Sequence, residues 1–94
     1  MRTIELATAF RRDFKRESKG RRGRALDVEL TPVLDTLAND ATLDSRFRDH
    51  ALSGEWAGYR ECHIRPDLLL IYRKIGDELL RIARLGSHGE LFGK

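Results

Sequence analysis

Three histidines, His50, His63 and His88, are the best candidates for proton-transfer chemistry in this chain of 94 residues. An imidazole can donate or accept a proton near neutral pH, so it is the usual side chain of acid–base catalysis. The three come from a polar loop, a predicted strand and the tail, so catalysis requires a fold that brings them together. The alternative interpretation is that each is an exposed or hydrogen-bonded surface residue.

Alternation of residues predicts two different faces for the strand around His63. Glu61, His63 and Arg65 share one face, and Cys62 and Ile64 share the other. The second pair is apolar and should face the core. We therefore expect His63 to lie beside Glu61 and Arg65 on the face that is left open for a site.

Several polar side chains near this strand could assist a histidine. Asp67 follows Pro66 in a predicted turn, where it could orient a histidine, hold a proton or serve only as a turn residue. Four arginines lie on or near the predicted sheet and could bind phosphate through paired hydrogen bonds, or be plain surface charge: Arg60, Arg65, Arg81 and Arg84. Phe92 is either a hydrophobic plug for the end of the sheet or a stacking platform for a base.

The spacing of metal-ligating residues does not favour a metal site. Cys62 and His63 are adjacent in a strand and should point to opposite faces, and no Cys-x-x-Cys or His-x-x-x-His spacing occurs. The lone cysteine excludes an internal disulfide and fits a reducing compartment. No glycine-rich phosphate loop is present either. We predict that the protein uses no metal or other cofactor.

Charge is distributed unevenly along the chain, whose net charge is +3. Residues 1–24 carry nine basic and three acidic side chains, whereas residues 25–45 carry five acids and no base. A basic lobe suits a polyanionic partner, and its candidate RNA-binding residues include Lys15, Arg21 and Arg22. The alternative is a solvated helix face.

The elements that would position these residues form one α+β domain over residues 1–94. The pattern predicts the order βααβββ, an antiparallel sheet with two N-terminal helices packed on one face and a central strand at Leu68 to Arg73. Pro32 should kink the second helix or split it. No apolar run is long enough to span a membrane and no secretory signal is evident, so we expect a cytoplasmic protein without membrane contact.

Two segments carry a family resemblance: "DHALSGEWAGYRECHIRPDLLLIYR", residues 49–73, and "LLRIARLGSHGELFG", residues 79–93. The spaced identities in them resemble the YafQ branch of the RelE/ParE toxin superfamily, and the two helices match in pattern. This chain departs from the family in Pro32, in the basic linker "KGRRGR" and in Glu61, where relatives often have aspartate.

The resemblance implies a RelE-like fold and a bacterial type II toxin that acts as a ribosome-dependent mRNA endoribonuclease. Cleavage would proceed by 2′-hydroxyl attack and leave a 2′,3′-cyclic phosphate and a 5′-hydroxyl. The implied partners are the 30S decoding site, mRNA, a cognate antitoxin and, through the antitoxin complex alone, operator DNA. The family's functional residues fall on the following positions: His50, Glu61, His63, Asp67, Arg84, His88 and Phe92.

Two other interpretations stay open from the sequence. One is a ParE-like toxin that inhibits gyrase and has no nuclease activity. The other is a non-catalytic nucleic-acid-binding module whose histidines are incidental. The three histidines favour a catalyst, since a pure binding protein does not need them.

Overall fold

One strand and two helices make up the N-terminal part of the protein. The computed structural model describes residues 1–20 and 23–93. Strand β1 spans Thr3–Leu6, helix α1 spans Thr8–Lys19 and helix α2 spans Leu26–Ala38. The apolar residues of α2 recur at helical spacing and are buried against the sheet: Leu26, Leu30, Val33 and Leu37.

The remaining strands complete a five-stranded sheet in the order β1-β5-β4-β3-β2. A long connection after α2 contains two short 3-10 turns, Ser45–Phe47 and Gly54–Trp56. The other elements are β2 at His50–Ala51, β3 at Arg60–Arg65, β4 at Leu68–Ile75, β5 at Leu79–Gly86 and helix α3 at His88–Phe92. Strand β4 is central and its first five residues are buried, as its apolar run predicts.

The predicted α+β class is confirmed, and all elements of the predicted βααβββ order are present. The structure adds the two-residue strand β2 and helix α3, and its sheet is not wholly antiparallel. Strand β1 runs parallel to β5, with Thr3 opposite Leu79 and Leu6 opposite Ile82. Helices α1 and α2 carry the chain away from β1 before the β3–β5 meander begins. Strand β1 therefore joins the edge through a long crossover rather than a hairpin, and this geometry permits parallel pairing.

Helix α2 runs without interruption through Pro32, so of the two predicted effects of this proline, a kink or a split, the split does not occur. The proline ring removes the backbone donor that would bond the carbonyl of Val28. Val28 is 70% exposed, and water can therefore hydrate that carbonyl. Leu30 and Val33, on either side of the proline, are buried and keep the helix packed on the sheet.

Both faces of the sheet carry apolar clusters, although we expected one face to be open. The face under α1 and α2 holds the larger core. The opposite face, called the site face below, carries a smaller cluster made of Leu69, Ile71, Ala83 and Leu91, with Leu52, Trp56, Tyr59 and Phe92 packed against it. Helix α3 and the turn Gly54–Trp56 thus cover part of the site face and restrict where a substrate can reach it.

None of the helices described in residues 1–20 and 23–93 is long and apolar enough to cross a membrane.

Candidate active site

Four strands place a row of directly opposed residues on the site face. His50 of β2 is opposite Glu61 of β3, Glu61 is opposite Ile71 of β4, and Ile71 is opposite Arg84 of β5. Directly opposed residues project to the same side of a sheet, so His50, Glu61 and Arg84 share one face although they are far apart in sequence. A second row follows, in which His63 is opposite Leu69.

The Glu61 carboxylate lies between two imidazoles. Its Oε1 atom is 3.4 Å from His50 Nε2 and 3.6 Å from His63 Nε2. Glu61 is only 5% exposed, and burial of a carboxylate is unfavourable unless opposite charge or hydrogen bonds compensate it. Both imidazoles can supply that compensation when they are protonated.

Backbone carbonyls fix the orientation of both rings. His50 Nδ1 lies 2.7 Å from the carbonyl oxygen of Arg48, and His63 Nδ1 lies 3.3 Å from that of Pro66. A carbonyl accepts but cannot donate, so the Nδ1 atom of each ring carries the hydrogen. With Nδ1 carrying the hydrogen, Nε2 is the basic nitrogen of each ring, and these are the two atoms that face Glu61.

The turn after β3 holds His63 in place and carries Asp67. Strand β3 has a bulge, because His63 is opposite Leu69 whereas Arg65 is opposite Leu68. Asp67 is exposed in this turn, next to the Pro66 carbonyl that His63 contacts. The structure therefore places Asp67 in the neighbourhood of His63, as the sequence indicates.

The same bulge overturns the predicted position of Arg65. Alternation puts Arg65 on the site face with His63, but the extra residue turns it to the helix side, where Leu68 also lies. Its guanidinium bonds Glu29 of α2, with Nε 2.7 Å from Oε1. A bulge rotates every following side chain of its strand, and no residue in this segment signals it.

Helix α3 carries His88 and Phe92 onto the site face. Strand β5 ends at Gly86, which is opposite Leu69 and thus lies in the row of His63. Ser87 caps α3 by accepting from the Glu90 amide at 3.1 Å, and the Glu90 carboxylate accepts from the Ser87 amide at 2.7 Å. The rings of His88 and Phe92 then lie 4.8 Å apart, centroid to centroid.

A glycine provides close packing where β5 meets α3. A Cβ at Gly86 would lie 3.3 Å from Leu91 Cδ2 and 3.2 Å from Glu90 Oε1. Both distances are tighter than ordinary van der Waals contact. The absence of a side chain at Gly86 therefore lets Leu91 pack on the sheet, and this packing fixes helix α3, which carries His88.

Arg84 is fixed by a buried carboxylate of α1. Its Nε and Nη2 atoms donate to Asp13 at 2.7 and 3.2 Å, and Asp13 is 3% exposed. The hydrogen bond to Asp13 raises the pKa of the Arg84 guanidinium, so this side chain stays charged. Asp13 also accepts from the Leu85 amide at 3.0 Å, on the part of β5 that extends beyond β1.

The other predicted RNA-binding arginines of the sheet have carboxylate partners. Arg60 donates to Asp49 at 3.2 Å from the helix side of β3, and Arg81 donates to Glu5 at 2.5 Å on the site face. Lys15 is exposed on α1. Arg21 and Arg22 lie outside the described residues, so their predicted role stays a prediction.

Sequence reasoning missed Asp13, which the structure links to Arg84. A signal was present, because Phe10, Asp13, Phe14 and Glu17 recur at the spacing of one helix face. An acid within an apolar stripe, on a helix whose other charges are mostly basic, indicates a buried partner. Asp13 and Glu17 are indeed the buried acids of α1.

A comparison with protein families identifies the chain. Residues 2–93 match the family model described as the bacterial toxin of type II toxin-antitoxin system, YafQ. The chain belongs to the YafQ toxin family. The family recognised from the two sequence segments is thereby confirmed, and with it the assignment to type II toxin-antitoxin toxins.

Relatives of this YafQ-family toxin match it along nearly its whole length. The mRNA interferase toxin YafQ of Escherichia coli K12 is 40% identical over 98% of this chain and 97% of its own. In the crystal structure of the E. coli DinJ–YafQ complex, the matching chain has a TM-score of 0.83 at 37% identity, covering 99% of this chain and 100% of that one. A metal-bound toxin from Helicobacter pylori has a TM-score of 0.88 at 40% identity, covering 98% and 100%.

The metal-bound relative raises the question of metal ligands in this chain. Within residues 1–20 and 23–93, no group of three or more histidine, cysteine or acidic side chains is arranged to hold a metal ion. The prediction that this YafQ-family toxin uses no metal stays a prediction.

Proposed function

We propose that this YafQ-family toxin is an endoribonuclease that cleaves mRNA on the ribosome without a metal ion. The observation that carries the proposal is the Glu61 carboxylate, which lies within 3.6 Å of the Nε2 atoms of both His50 and His63. A negative carboxylate at that distance balances the positive charge of an imidazole that has accepted a proton. The activity named for the E. coli relative, an mRNA interferase, agrees with this chemistry.

The reaction that fits these residues uses the RNA's own 2′-hydroxyl as nucleophile. A base takes the hydroxyl proton, the 2′-oxygen forms a bond to the adjacent phosphorus, and the bond from phosphorus to the 5′-oxygen breaks. An acid gives a proton to that leaving oxygen. The products are a 2′,3′-cyclic phosphate and a 5′-hydroxyl, and each proton transfer contributes about 10²–10⁴-fold to the rate.

We assign base-side chemistry to His50 and His63, with Asp67, and the acid to His88. Glu61 orients the two base-side rings and balances the positive charge that proton uptake creates. These assignments follow from position, since His50 and His63 share one carboxylate while His88 comes from a separate element, α3.

Arg84 and Phe92 would bind the substrate around the reacting phosphate. The guanidinium of Arg84 is charged and held in place by Asp13, so it can stabilise the negative charge that builds up on the phosphate. Phe92 is half-buried beside His88 and would stack on a base.

The basic surface of α1 supports a polyanionic partner. Arg11, Arg12, Lys15 and Lys19 are exposed on α1. We propose that this surface contacts ribosomal RNA near the 30S decoding site. An acidic segment of a cognate antitoxin could use the same surface, and an antitoxin partner agrees with the DinJ–YafQ complex of E. coli. Operator DNA would then be bound only through the antitoxin complex.

Controlled expression in bacteria separates this proposal from its alternatives. A ribosome-dependent nuclease should stop incorporation of labelled amino acids within minutes and leave DNA synthesis running at first. Filamentation with a DNA-damage response and continuing protein synthesis would instead indicate a gyrase inhibitor. Normal growth with folded toxin present would indicate a passive binding module.

A further inference from the structure

Arg73 of β4 lies on the site face, next to the row that contains Glu61 and Arg84. It follows Ile71 by two positions, and although the pairing of β4 with β5 shifts register between Ile71 and Tyr72, Arg73 contacts the Tyr59 ring, which packs against the site-face cluster. The two positions are separated by about 7 Å along the strand. Arg73 therefore lies about one nucleotide away from the proposed reaction centre.

The charge of Arg73 is not neutralised by its neighbours. Arg73 is directly opposite Arg81, which is bonded to Glu5 at 2.5 Å, so the nearest carboxylate of this row is already engaged. Within the two described segments of the chain, no carboxylate forms an ion pair with Arg73, and its side chain is exposed. Like charges placed directly opposite one another are unfavourable, and a ligand that supplies negative charge would relieve this pair.

Arg73 is nevertheless held in place. Its guanidinium carbon lies 5.5 Å from the centroid of the Tyr59 ring, and the Tyr59 ring itself meets Trp56 edge-on at 5.2 Å. The Arg73 guanidinium also lies close to Gly58, since a Cβ built on Gly58 would be 3.5 Å from the guanidinium carbon. A cation–π contact restrains the guanidinium without cancelling its charge, so the donors are oriented but still available.

We propose that Arg73 binds a phosphate of the RNA strand next to the one that is cleaved, and that it is a substrate-positioning residue. The inference rests on the proposed ribonuclease function. The chemistry fits because a guanidinium forms paired hydrogen bonds with phosphate oxygens. The RNA strand would then cross the site face with Arg84 at the reacting phosphate and Arg73 at the adjacent phosphate.

The test compares three variants in binding to ribosomes that carry an uncleavable mRNA, with a 2′-deoxy nucleotide at the cleavage position. Arg73→Gln removes the positive charge. Arg73→Lys keeps the charge but lacks the planar guanidinium that forms paired hydrogen bonds, and Lys74→Gln is the matched control. Lys74 is the next residue of β4, faces the helix side and bonds Asp40 at 2.7 Å. Affinities are measured over a series of salt concentrations.

We expect Arg73→Gln to bind about tenfold more weakly. Its plot of log affinity against log salt should be shallower by about 0.7, the value for one phosphate contact on a single strand. Arg73→Lys should fall between Arg73→Gln and wild type, and Lys74→Gln should match wild type. A neutral methylphosphonate beside the cleavage position should weaken wild type and have no further effect on Arg73→Gln.

Two outcomes would overturn the inference, and they can be told apart. If wild type binds and cleaves while Arg73→Gln keeps the same affinity and salt slope, Arg73 contacts no phosphate although the proposed function stands. If wild type neither binds programmed ribosomes nor cleaves their mRNA, the proposed function fails, and the inference fails with it.

Discussion

Asp13 of α1 and Arg84 of β5 are joined by two hydrogen bonds, of 2.7 and 3.2 Å, across the edge of the sheet. Strand β1 pairs with β5 only as far as Ile82, so the backbone of β5 beyond that point lacks a neighbouring strand on this side. Asp13 accepts from the Leu85 amide there, and Arg16 donates to the Leu85 carbonyl at 3.2 Å. Two side chains of a helix thus take the place of a strand and fix Arg84 as they do so.

Replacing Asp13 should destabilise the protein and make its stability less sensitive to acid. Burial favours the neutral form of Asp13, but hydrogen bonds from Arg84 and Leu85, with the nearby cations, hold its pKa below 3.8. Because the folded-state pKa is the lower one, this stability is complete above about pH 3.8 and is lost as pH falls through the folded value. We expect Asp13→Asn to cost about 2 kcal/mol near neutral pH in urea unfolding.

The exposed Asp35 of α2 provides the control for this prediction. Asp35→Asn should change the free energy of unfolding by less than about 0.5 kcal/mol. Equal stability of Asp13→Asn and Asp35→Asn, with identical acid profiles, would contradict the role given to Asp13.

Removing His63 or neutralising Glu61 should slow cleavage strongly while leaving the fold intact. His63 has a partly exposed ring and lies outside the larger core, so His63→Ala should slow single-turnover cleavage by about 10²–10⁴-fold with little change in unfolding midpoint. Glu61→Gln keeps the shape and removes the charge between the rings, and we expect a loss of about 10²-fold.

Glu55→Gln, an exposed acid in the turn Gly54–Trp56, is the matched control and should cleave like wild type. A folded His63→Ala protein that arrests growth at full potency would remove His63 from the chemistry.

The exposed cations of α1 should set the salt dependence of ribosome binding. Replacing Arg11, Arg12 and Lys15 together by glutamine should weaken binding and flatten its salt slope by about 0.7–0.9 for each phosphate that the surface no longer neutralises. Binding is measured with ribosomes carrying uncleavable mRNA. An unchanged slope, with weaker binding of the cognate antitoxin, would assign this surface to the antitoxin instead.

The thiol of the single cysteine should be unreactive in the folded protein. Cys62 is fully buried on the helix side of β3, and burial, with the charges of Asp49 and Glu61, raises the pKa of its thiol to about 12. Little thiolate, the reactive form, is therefore present at about pH 8. A thiol reagent should label Cys62 only after denaturation, and rapid labelling of the native protein would contradict the packing described for β3.

The sequence predicts the side-chain faces of β3 as far as its alternation holds. Glu61 and His63 lie on the site face and Cys62 lies on the helix side, as expected, because successive residues of a strand point to opposite faces. Arg65 could not be placed, since the bulge before it depends on how β3 pairs with β4. The helical spacing marks Asp13 as an acid with a buried partner, but its pairing with Arg84 could not be predicted, because the two residues are 71 positions apart and only the tertiary fold joins them.

The central claim is that His50, Glu61, His63 and His88 form a metal-free ribonuclease site. The most direct test is cleavage of a defined mRNA by wild type and His88→Ala in the presence of a chelator, with and without programmed 70S ribosomes, followed by mapping of the fragment ends. If these residues form the site, we expect cuts at the decoding site that need ribosomes, leave a 2′,3′-cyclic phosphate and a 5′-hydroxyl, and disappear in His88→Ala. Equal cleavage by both proteins, or no cleavage by folded wild type, would contradict it.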